Sequence, residues 1–249
     1  MKKPEWWNEG GGYYNAQYLK SETLQNSIET VALLADFLEK ELHLCAGARV
    51  LDVGCGIGHV GIELARKGYA VTGVDINRLF LQRARRGAKK AGVAVRFVKA
   101  DMRTLPFGAE FDAAFAVGPV IGNFAKESDD TRVFKEMARV LQEGGRVLVD
   151  QWKGRQSKKK RSWEEAQPDG SVKKITAWEE GGRAYVVMKH HSTQVRINYR
   201  IYTAPKLSRC FTSAGLSVVG THFLDYWEFL PVSRKEAYRV IVVARKNGT

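Results

Sequence analysis

The sequence predicts an α/β protein built on a doubly wound, mostly parallel sheet. Three observations predict it. Strand-like and helix-like runs alternate from residue 49 to residue 152, the arrangement that places helices over both faces of a parallel sheet. A glycine-rich turn, Gly54-Cys55-Gly56-Ile57-Gly58, joins the first strand of that series to its first helix. Two β-rich runs near the end of the chain lie close enough to pair as an antiparallel edge.

Each element follows from its local pattern. Residues 1–22 are rich in glycine and aromatic side chains, show little periodicity, and read as a mobile arm. A helix is expected over about 23–42, where Ile28, Val31, Leu34, Ala35 and Leu38 recur at helical spacing and Thr23 can cap it. RVLDV (49–53) reads as a strand, followed by the glycine turn and a helix through Ala65 that Gly68 stops. AVTGVDI (70–76) is the second strand and 78–92 the second helix; VRFVKAD (95–101) and FDAAFAVG (111–118) are the third and fourth strands. A helix over about 129–142 is ended by Gly144-Gly145, and RVLVDQW (146–152) is the fifth strand. From Lys153 to about Tyr202 the alternation stops. PDG (168–170) and EGG (180–182) are turn signals between β-rich runs, and ITAW, RAYVVMKHH and QVRINYRIY read as strands of an antiparallel meander. A last helix over about 205–214 precedes the paired runs LSVVGTHF and YRVIVVARK. The organisation expected is therefore an aromatic arm and helix (1–45), a core (46–152), a β-rich insertion (153–202) and the remainder of the core (203–249).

Composition narrows the class. At 249 residues and 44% hydrophobic content the chain can bury a substantial core. No apolar run approaches the ~20 residues of a membrane span, and the N-terminus lacks the apolar region of a signal peptide. Cys45, Cys55 and Cys210 are scattered and odd in number, so neither a disulfide framework nor a metal centre is expected, which fits the cytoplasm. Cys55, inside the turn, reads as a packing residue. Nothing in the sequence sets the oligomeric state. The net charge of +13 favours anionic partners. Two stretches concentrate it: the helix Arg78–Lys90, with six bases and no acid, and the run Lys153–Arg161, with six bases in nine residues at the ligand edge.

The turn itself can be parsed in two frames. Gly56, Gly58 and Gly61 spell the G-x-G-x-x-G of a dinucleotide site; Asp52, Gly54, Gly56 and Gly58 spell D-x-G-x-G-x-G. A dinucleotide brings a pyrophosphate to the helix N-terminus. S-adenosylmethionine (SAM) brings a carboxylate, which can use backbone N–H donors, and an ammonium, which needs an acceptor such as Asp52. Asp75, ending the second strand, suits the ribose hydroxyls of either cofactor. Asp101, after the third strand, can accept from an adenine amine beside an apolar contact, Met102. Three acids at three successive strand ends form a row along the edge where open α/β sheets bind ligands, and only the frame from Asp52 uses all three.

With those residues in place, the sequence resembles the class I, Rossmann-like SAM-dependent methyltransferases. VLDVGCGIG is similar to their first motif, VTGVDIN to the acidic loop after strand two, and VKADMRTLPF to the segment after strand three. FDAAFAVGPVIGNF and VLQEGGRVLVD are similar to the fourth strand with its loop and to the glycine pair before strand five, with Gln142-Glu143 replacing the usual Lys-Pro. RIYTAPKLSRCFTSAGLSVVG is similar to the segment before strand six, with Lys206 where Glu is common. The resemblance runs from about Val50 to Lys246. It implies a seven-stranded sheet ordered 3-2-1-4-5-7-6 with strand seven antiparallel, and an insertion between strands five and six that covers the substrate pocket. It implies that Asp52, Gly54, Gly56 and Gly58 hold the methionine end of SAM, that Asp75 binds ribose with Ile76 packing on adenine, that Asp101 and Met102 flank adenine, and that Val117 and Gly118 lie near the sulfonium.

The expected activity is methyl transfer to N, O or C of a small molecule, one that could be anionic. RNA, with tRNA the example, is the alternative acceptor through Arg78–Lys90 and Lys153–Arg161; a non-catalytic SAM- or nucleotide-binding protein and a NAD-dependent reductase are weaker alternatives. Asp150, at the end of strand five, is the best-placed candidate for acid–base work. Tyr14 and Tyr18, four residues apart, could share a helical face toward the pocket, and Trp6, Trp7, Tyr13, Tyr199, Tyr202, Tyr226 and Trp227 are further candidates to shape it. His190 and His191 are adjacent, so on a strand at most one can face the pocket.

Overall fold

The computed structural model describes residues 30–118, 120–153, 159–166, 170–191, 193–225, 231–233 and 235–248. Tyr14, Tyr18 and the rest of the aromatic arm, Tyr226, Trp227 and the middle of the basic run at 154–158 lie outside the described residues. Among the described residues no helix is long and apolar enough to cross a membrane.

The elements run α1 (Val31–Leu42), β1 (Arg49–Val53), α2 (His59–Arg66), β2 (Ala70–Asp75), α3 (Arg78–Ala91), β3 (Arg96–Lys99), β4 (Phe111–Ala116), α4 (Glu127–Val140), β5 (Leu141–Trp152), β6 (Arg161–Ala166), β7 (Val172–Glu180), β8 (Arg183–His190), β9 (Thr193–Arg200), α5 (Ala204–Ser213), β10 (Leu216–Leu224) and β11 (Arg239–Lys246). Seven strands form one sheet in the order β10-β11-β5-β4-β1-β2-β3. Counted as core strands this is 3-2-1-4-5-7-6, and β11 runs antiparallel to both β5 and β10, as the resemblance implied. Helices cover both faces. Val133, Phe134 and Met137 of α4 and Leu207 and Phe211 of α5 pack with Leu51, Val147 and Val242 on one side. Leu34, Ala35, Leu38 and Leu42 of α1 pack with Val50, Leu148 and Ile241 on the other. The strands alternate their apolar side chains between these two layers, as β geometry requires.

Local chemistry sets the ends. Asn77 caps α3 by accepting from Phe80 N, and Gly92 closes it in the left-handed conformation. Glu127, Asp129 and Asp130 occupy the first turn of α4, where the helix dipole favours negative charge. That helix ends at Val140, earlier than the glycine pair suggested. Leu141 already pairs with Phe111 of β4, so the ladder takes over before Gly144 is reached, and Gly144 and Gly145 instead form an irregularity within β5.

The insertion is a separate antiparallel sheet, β6-β7-β8-β9. It holds one strand more than the three runs named from the sequence: β6, which lies just before the PDG turn signal. Its acids explain the difference: Glu164 and Glu165 stand opposite Lys174 and Lys173 of β7, and Lys173 Nζ lies 2.6 Å from Glu165. Gly181 and Gly182 have φ of 58° and 74°, which gives the two-residue turn between β7 and β8 the backbone that such hairpins need.

A buried hub ties the root of this sheet to the parallel sheet. Asp130 of α4 is fully buried and accepts from Gly122 N (2.9 Å), Arg200 Nε (3.1 Å) and Tyr202 Oη (3.0 Å). Burial pushes its carboxyl up, against the hydrogen bonds from Tyr202, Arg200 and Gly122. Arg183 donates to Phe124 O (3.2 Å), and Arg200 N donates to Gly122 O (2.7 Å). Gly122 has φ of 94°, and a Cβ there would sit 2.6 Å from Arg200 O, a backbone atom that cannot swing aside. Gly122→Ala is therefore expected to cost about 2–4 kcal/mol, from left-handed strain plus overpacking. Urea unfolding checks this; a loss below 0.5 kcal/mol (about the size of a neutral surface change) would mean that the contact is not rigid.

Candidate functional site

The carboxyl ends of β1, β2 and β4, together with the loop after β3, bring the sequence-selected residues to one edge. Register fixes the first two: Asp52 pairs with Gly73 and Val53 with Val74, so β1 and β2 leave the sheet side by side. The chain then turns back on itself. Gly54 N and Cys55 N both donate to Val74 O, and Gly54, Gly56 and Gly58 have φ of 74°, 54° and 77°. Only glycine takes this series without strain.

Each of the three acids has a distinct environment. Asp52 is buried beneath the turn, 5% exposed, and accepts from the Gly61 backbone. Burial, then the charge of Asp75, push its carboxyl up to about 8. Asp75 holds the turn in place: Oδ2 accepts from Gly56 N (2.9 Å) and Oδ1 from Asn77 N (2.7 Å). Asp101, against the cost of its partial burial, is held below the usual carboxylate range by Arg103, which donates through Nε and Nη2 and through its backbone N. Arg103 also lies over the Phe124 ring, 4.6 Å from its centre, and 3.5 Å from Asp129. This pairing of Asp101 had no signal in the sequence beyond the neighbouring positive charge.

The remaining positions line the same edge. Ile76, Met102, Val117 and Gly118 are all half-buried. Gly118 has φ of 81°, and a Cβ on it would meet nothing within 4 Å; on Gly56 the nearest atom, Phe80 Cδ2, would be 4.0 Å away. These two glycines present bare backbone to open space, the cradle that a ligand's close approach requires. Gly54 is different, since its Cβ would lie 2.6 Å from Val120 Cγ1: the loop after β4 rests directly on the turn. Cys55 is packed behind it, and burial, with Asp52 and Asp75 adding, pushes its thiol well up and away from reactivity.

Asp150 is placed differently from a solvent-facing acid. It is fully buried, and both its oxygens are engaged by Arg239 of β11 and by Gly118 N (2.9 Å). Its neighbour Gln151, also buried, donates to Ile121 O (2.9 Å). Of the aromatic candidates, Tyr199 meets the Trp152 ring edge-on (6.2 Å between centres), while Tyr202 is in the core and hydrogen-bonded to Asp130. His190 contacts Ser171 at the far end of the insertion sheet, and His191 lies against it. Asp130, Arg183, Arg200, Gln151 and Arg239 carry the polar scaffold and were not singled out from the sequence; the only signal was the Arg-x-Tyr-Thr stretch at 200–203.

A seven-stranded sheet of this order, with an acid-lined glycine turn at its switch point, is the architecture shared with solved Rossmann-like methyltransferases. Comparison with known proteins agrees. A family model described as a methyltransferase domain matches residues 50–145. The chain is 38% identical over 120 residues to the methyltransferase GfsG of Streptomyces halstedii, covering 47% of this chain and 42% of that protein. It is 35% identical over 147 residues to the cycloartenol-C-24-methyltransferase of Arabidopsis thaliana, covering 57% and 42%. The chain thus spans about two fifths of the length of these curated relatives. Among solved structures, the SAM-bound amino pentose methyltransferase CalS10 of Micromonospora echinaspora superposes with a TM-score of 0.66 at 17% identity, covering 94% of this chain and 98% of that one, a likeness of fold. The family match is thus to a methyltransferase domain over residues 50–145, and the likeness beyond it is one of fold.

Proposed function

We propose that the protein transfers the methyl group of SAM to an N, O or C atom of a small-molecule acceptor. The observation that carries this reading is the row of Asp52, Asp75 and Asp101 along one edge, around a turn whose glycines at 54, 56 and 58 are all left-handed. On this reading Asp52 lies beneath the site of the ammonium group, Gly56 lets the methionine end approach, and Asp75 accepts from the ribose. Ile76 and Met102 sandwich the adenine with Asp101 at its rim, and Val117 and Gly118 flank the sulfonium. The relative that acts on cycloartenol and the structural neighbour that acts on an amino pentose support a small acceptor.

SAM supplies an activated methyl group whose in-line displacement leaves a neutral thioether. The chain's part is to orient: holding the acceptor in near-attack position can supply as much as ~7–11 kcal/mol. An alcohol or ammonium acceptor also has to lose a proton, which needs a base or water within reach. Asp150 is engaged on both oxygens, so we assign it to the scaffold rather than to that proton.

A calorimetric titration with SAM, followed by transfer of labelled methyl groups into a panel of small acceptors, tests the proposal. Absence of SAM binding together with clear binding of NADH would sink it. A second reading, RNA as acceptor, draws on the exposed Arg83, Arg86, Lys89 and Lys90 of α3; salt-sensitive retention of tRNA with labelled methyl incorporated into it would favour that reading.

Asp52 adds a pH signature. Its folded carboxyl titrates near 8, so it is largely protonated at pH 7 in the free protein. An ammonium placed beside it favours the ionised form, so binding at pH 7 is expected to release a fraction of a proton. The binding enthalpy should then differ between phosphate and Tris buffers at pH 7, and the difference should vanish in Asp52→Asn. The same shift has a stability consequence. The unfolded carboxyl ionises near its ordinary value of 3.8, so the contribution of this group is full below that pH and is lost as pH rises toward 8.

A further inference from the structure

We propose that Asp150 is a positioning residue: with Arg239 and Gln151 it clamps the loop after β4 and, through that loop, sets the shape of the glycine turn. The inference rests on the SAM-binding reading above for its ligand, but its geometry is independent of it.

The loop leaves β4 at Ala116 and reverses through Gly118 and Val120. β5, its neighbour in the sheet, holds it at two successive residues whose side chains point to opposite faces. Asp150 Oδ2 accepts from Gly118 N (2.9 Å), and Gln151 Nε2 donates to Ile121 O (2.9 Å). Both anchors are buried. Between them, Val120 N donates to Gly118 O (2.7 Å). The Val120 side chain is what lies against Gly54, where a Cβ would come within 2.6 Å. A shift of the loop by a few tenths of an ångström would therefore move the wall of the turn on which the methionine end of SAM is proposed to rest.

Asp150 can hold this amide in place only because its charge is matched. Arg239 reaches it from β11, across the register pair Ile241–Asp150, with Nε 3.1 Å from Oδ1 and Nη2 on Oδ2. A fully buried carboxylate without that partner would be strongly unfavourable. The pair thus permits an ionised acceptor, fixed by two guanidinium bonds, to be aimed at a single backbone N–H. That is more orienting than a neutral side chain with a free torsion would be.

Two double variants separate positioning from stability. Both Asp150→Asn with Arg239→Met, and Asp150→Leu with Arg239→Met, remove the two charges of this pair together, so neither leaves one of them buried facing a missing partner. The Asn variant keeps an oxygen for Gly118 N; the Leu variant does not. SAM affinity is measured by calorimetry, and the solvent exchange of the Gly118 amide by NMR, in the wild-type protein and both variants. The Asn variant is expected to bind SAM within threefold of wild type, and the Leu variant at least tenfold more weakly, with Gly118 exchange faster by a similar factor. Equal SAM affinity and equal Gly118 exchange in the two variants would overturn the inference. If the wild-type protein binds no SAM, the ligand reading fails while the Gly118 exchange rates still decide the clamp. Should the Leu variant not fold, Gln151→Leu removes the second anchor without touching a charge; it is expected to weaken SAM binding at least threefold, and unchanged binding would count against the clamp.

Discussion

Replacing Asp130 by alanine is expected to lower the unfolding free energy by about 3–5 kcal/mol, the loss seen when one partner of a buried ion pair is removed. Three donors depend on this carboxylate: Gly122 N, Arg200 Nε and Tyr202 Oη. Removing it leaves a phenol and a backbone amide buried without an acceptor, and a guanidinium partly so. Glu127 lies 3.5 Å from Arg200 and retains part of the compensation, which points to the lower half of the range. Tyr202 cannot adapt by ionising, because burial and the nearby Asp130 push its phenol far up. Urea denaturation followed at two wavelengths is the measurement. A drop under 1 kcal/mol with an unchanged slope would show that the insertion sheet is held by something other than this hub.

The second large effect is expected at the ligand edge. Asp75→Ala removes the acceptor for Gly56 N and Asn77 N at once. Hydrogen bonds to a charged group contribute about 1.5–3 kcal/mol each, and here they hold both the glycine turn and the start of α3. The ribose acceptor of the proposed SAM site is lost in the same step. SAM affinity is expected to fall at least 100-fold, equivalent to about 2.7 kcal/mol, while Asp75→Asn, which keeps one acceptor oxygen, should lose less. Binding of SAM to the alanine variant within threefold of wild type would remove Asp75 from the site.

Much of the parallel sheet was legible in the chain because its signals are local. VLDVG and VTGVD each carry a continuous apolar strand and an acid at the strand end, and Asn77 and Gly92 punctuate α3 in sequence as they do in space. The glycine turn was legible for the same reason: three left-handed positions in five residues demand glycine. What could not be read are pairings between distant residues. Asp130 meets Arg200 across 70 positions and Asp150 meets Arg239 across 89, and neither acid differs locally from a surface one. Asp150 looked like a candidate for proton transfer since position along a strand says nothing of an arginine arriving from the far end of the chain. Strand β6 was missed because its neighbours are lysine-rich and its own cross-strand partners, Lys173 and Lys174, lie beyond a turn. Arg103 was passed over since an arginine two residues after an acid carries no periodic signal, yet it holds Asp101 from both backbone and side chain.

The placing of β11 between β5 and β10 has a consequence for biosynthesis. A ribosome delivers β1 to β5, the glycine turn and α4 long before it delivers Arg239. Until that residue emerges, Asp150 has no counter-charge, and the strand that should cover its side of β5 does not exist. The nascent chain therefore carries a nearly complete parallel sheet, and the last strand to be made completes it from inside the sheet rather than at its border. A chain cut short after β10 would carry Asp52, Asp75 and Asp101 yet lack the arginine that pairs with Asp150.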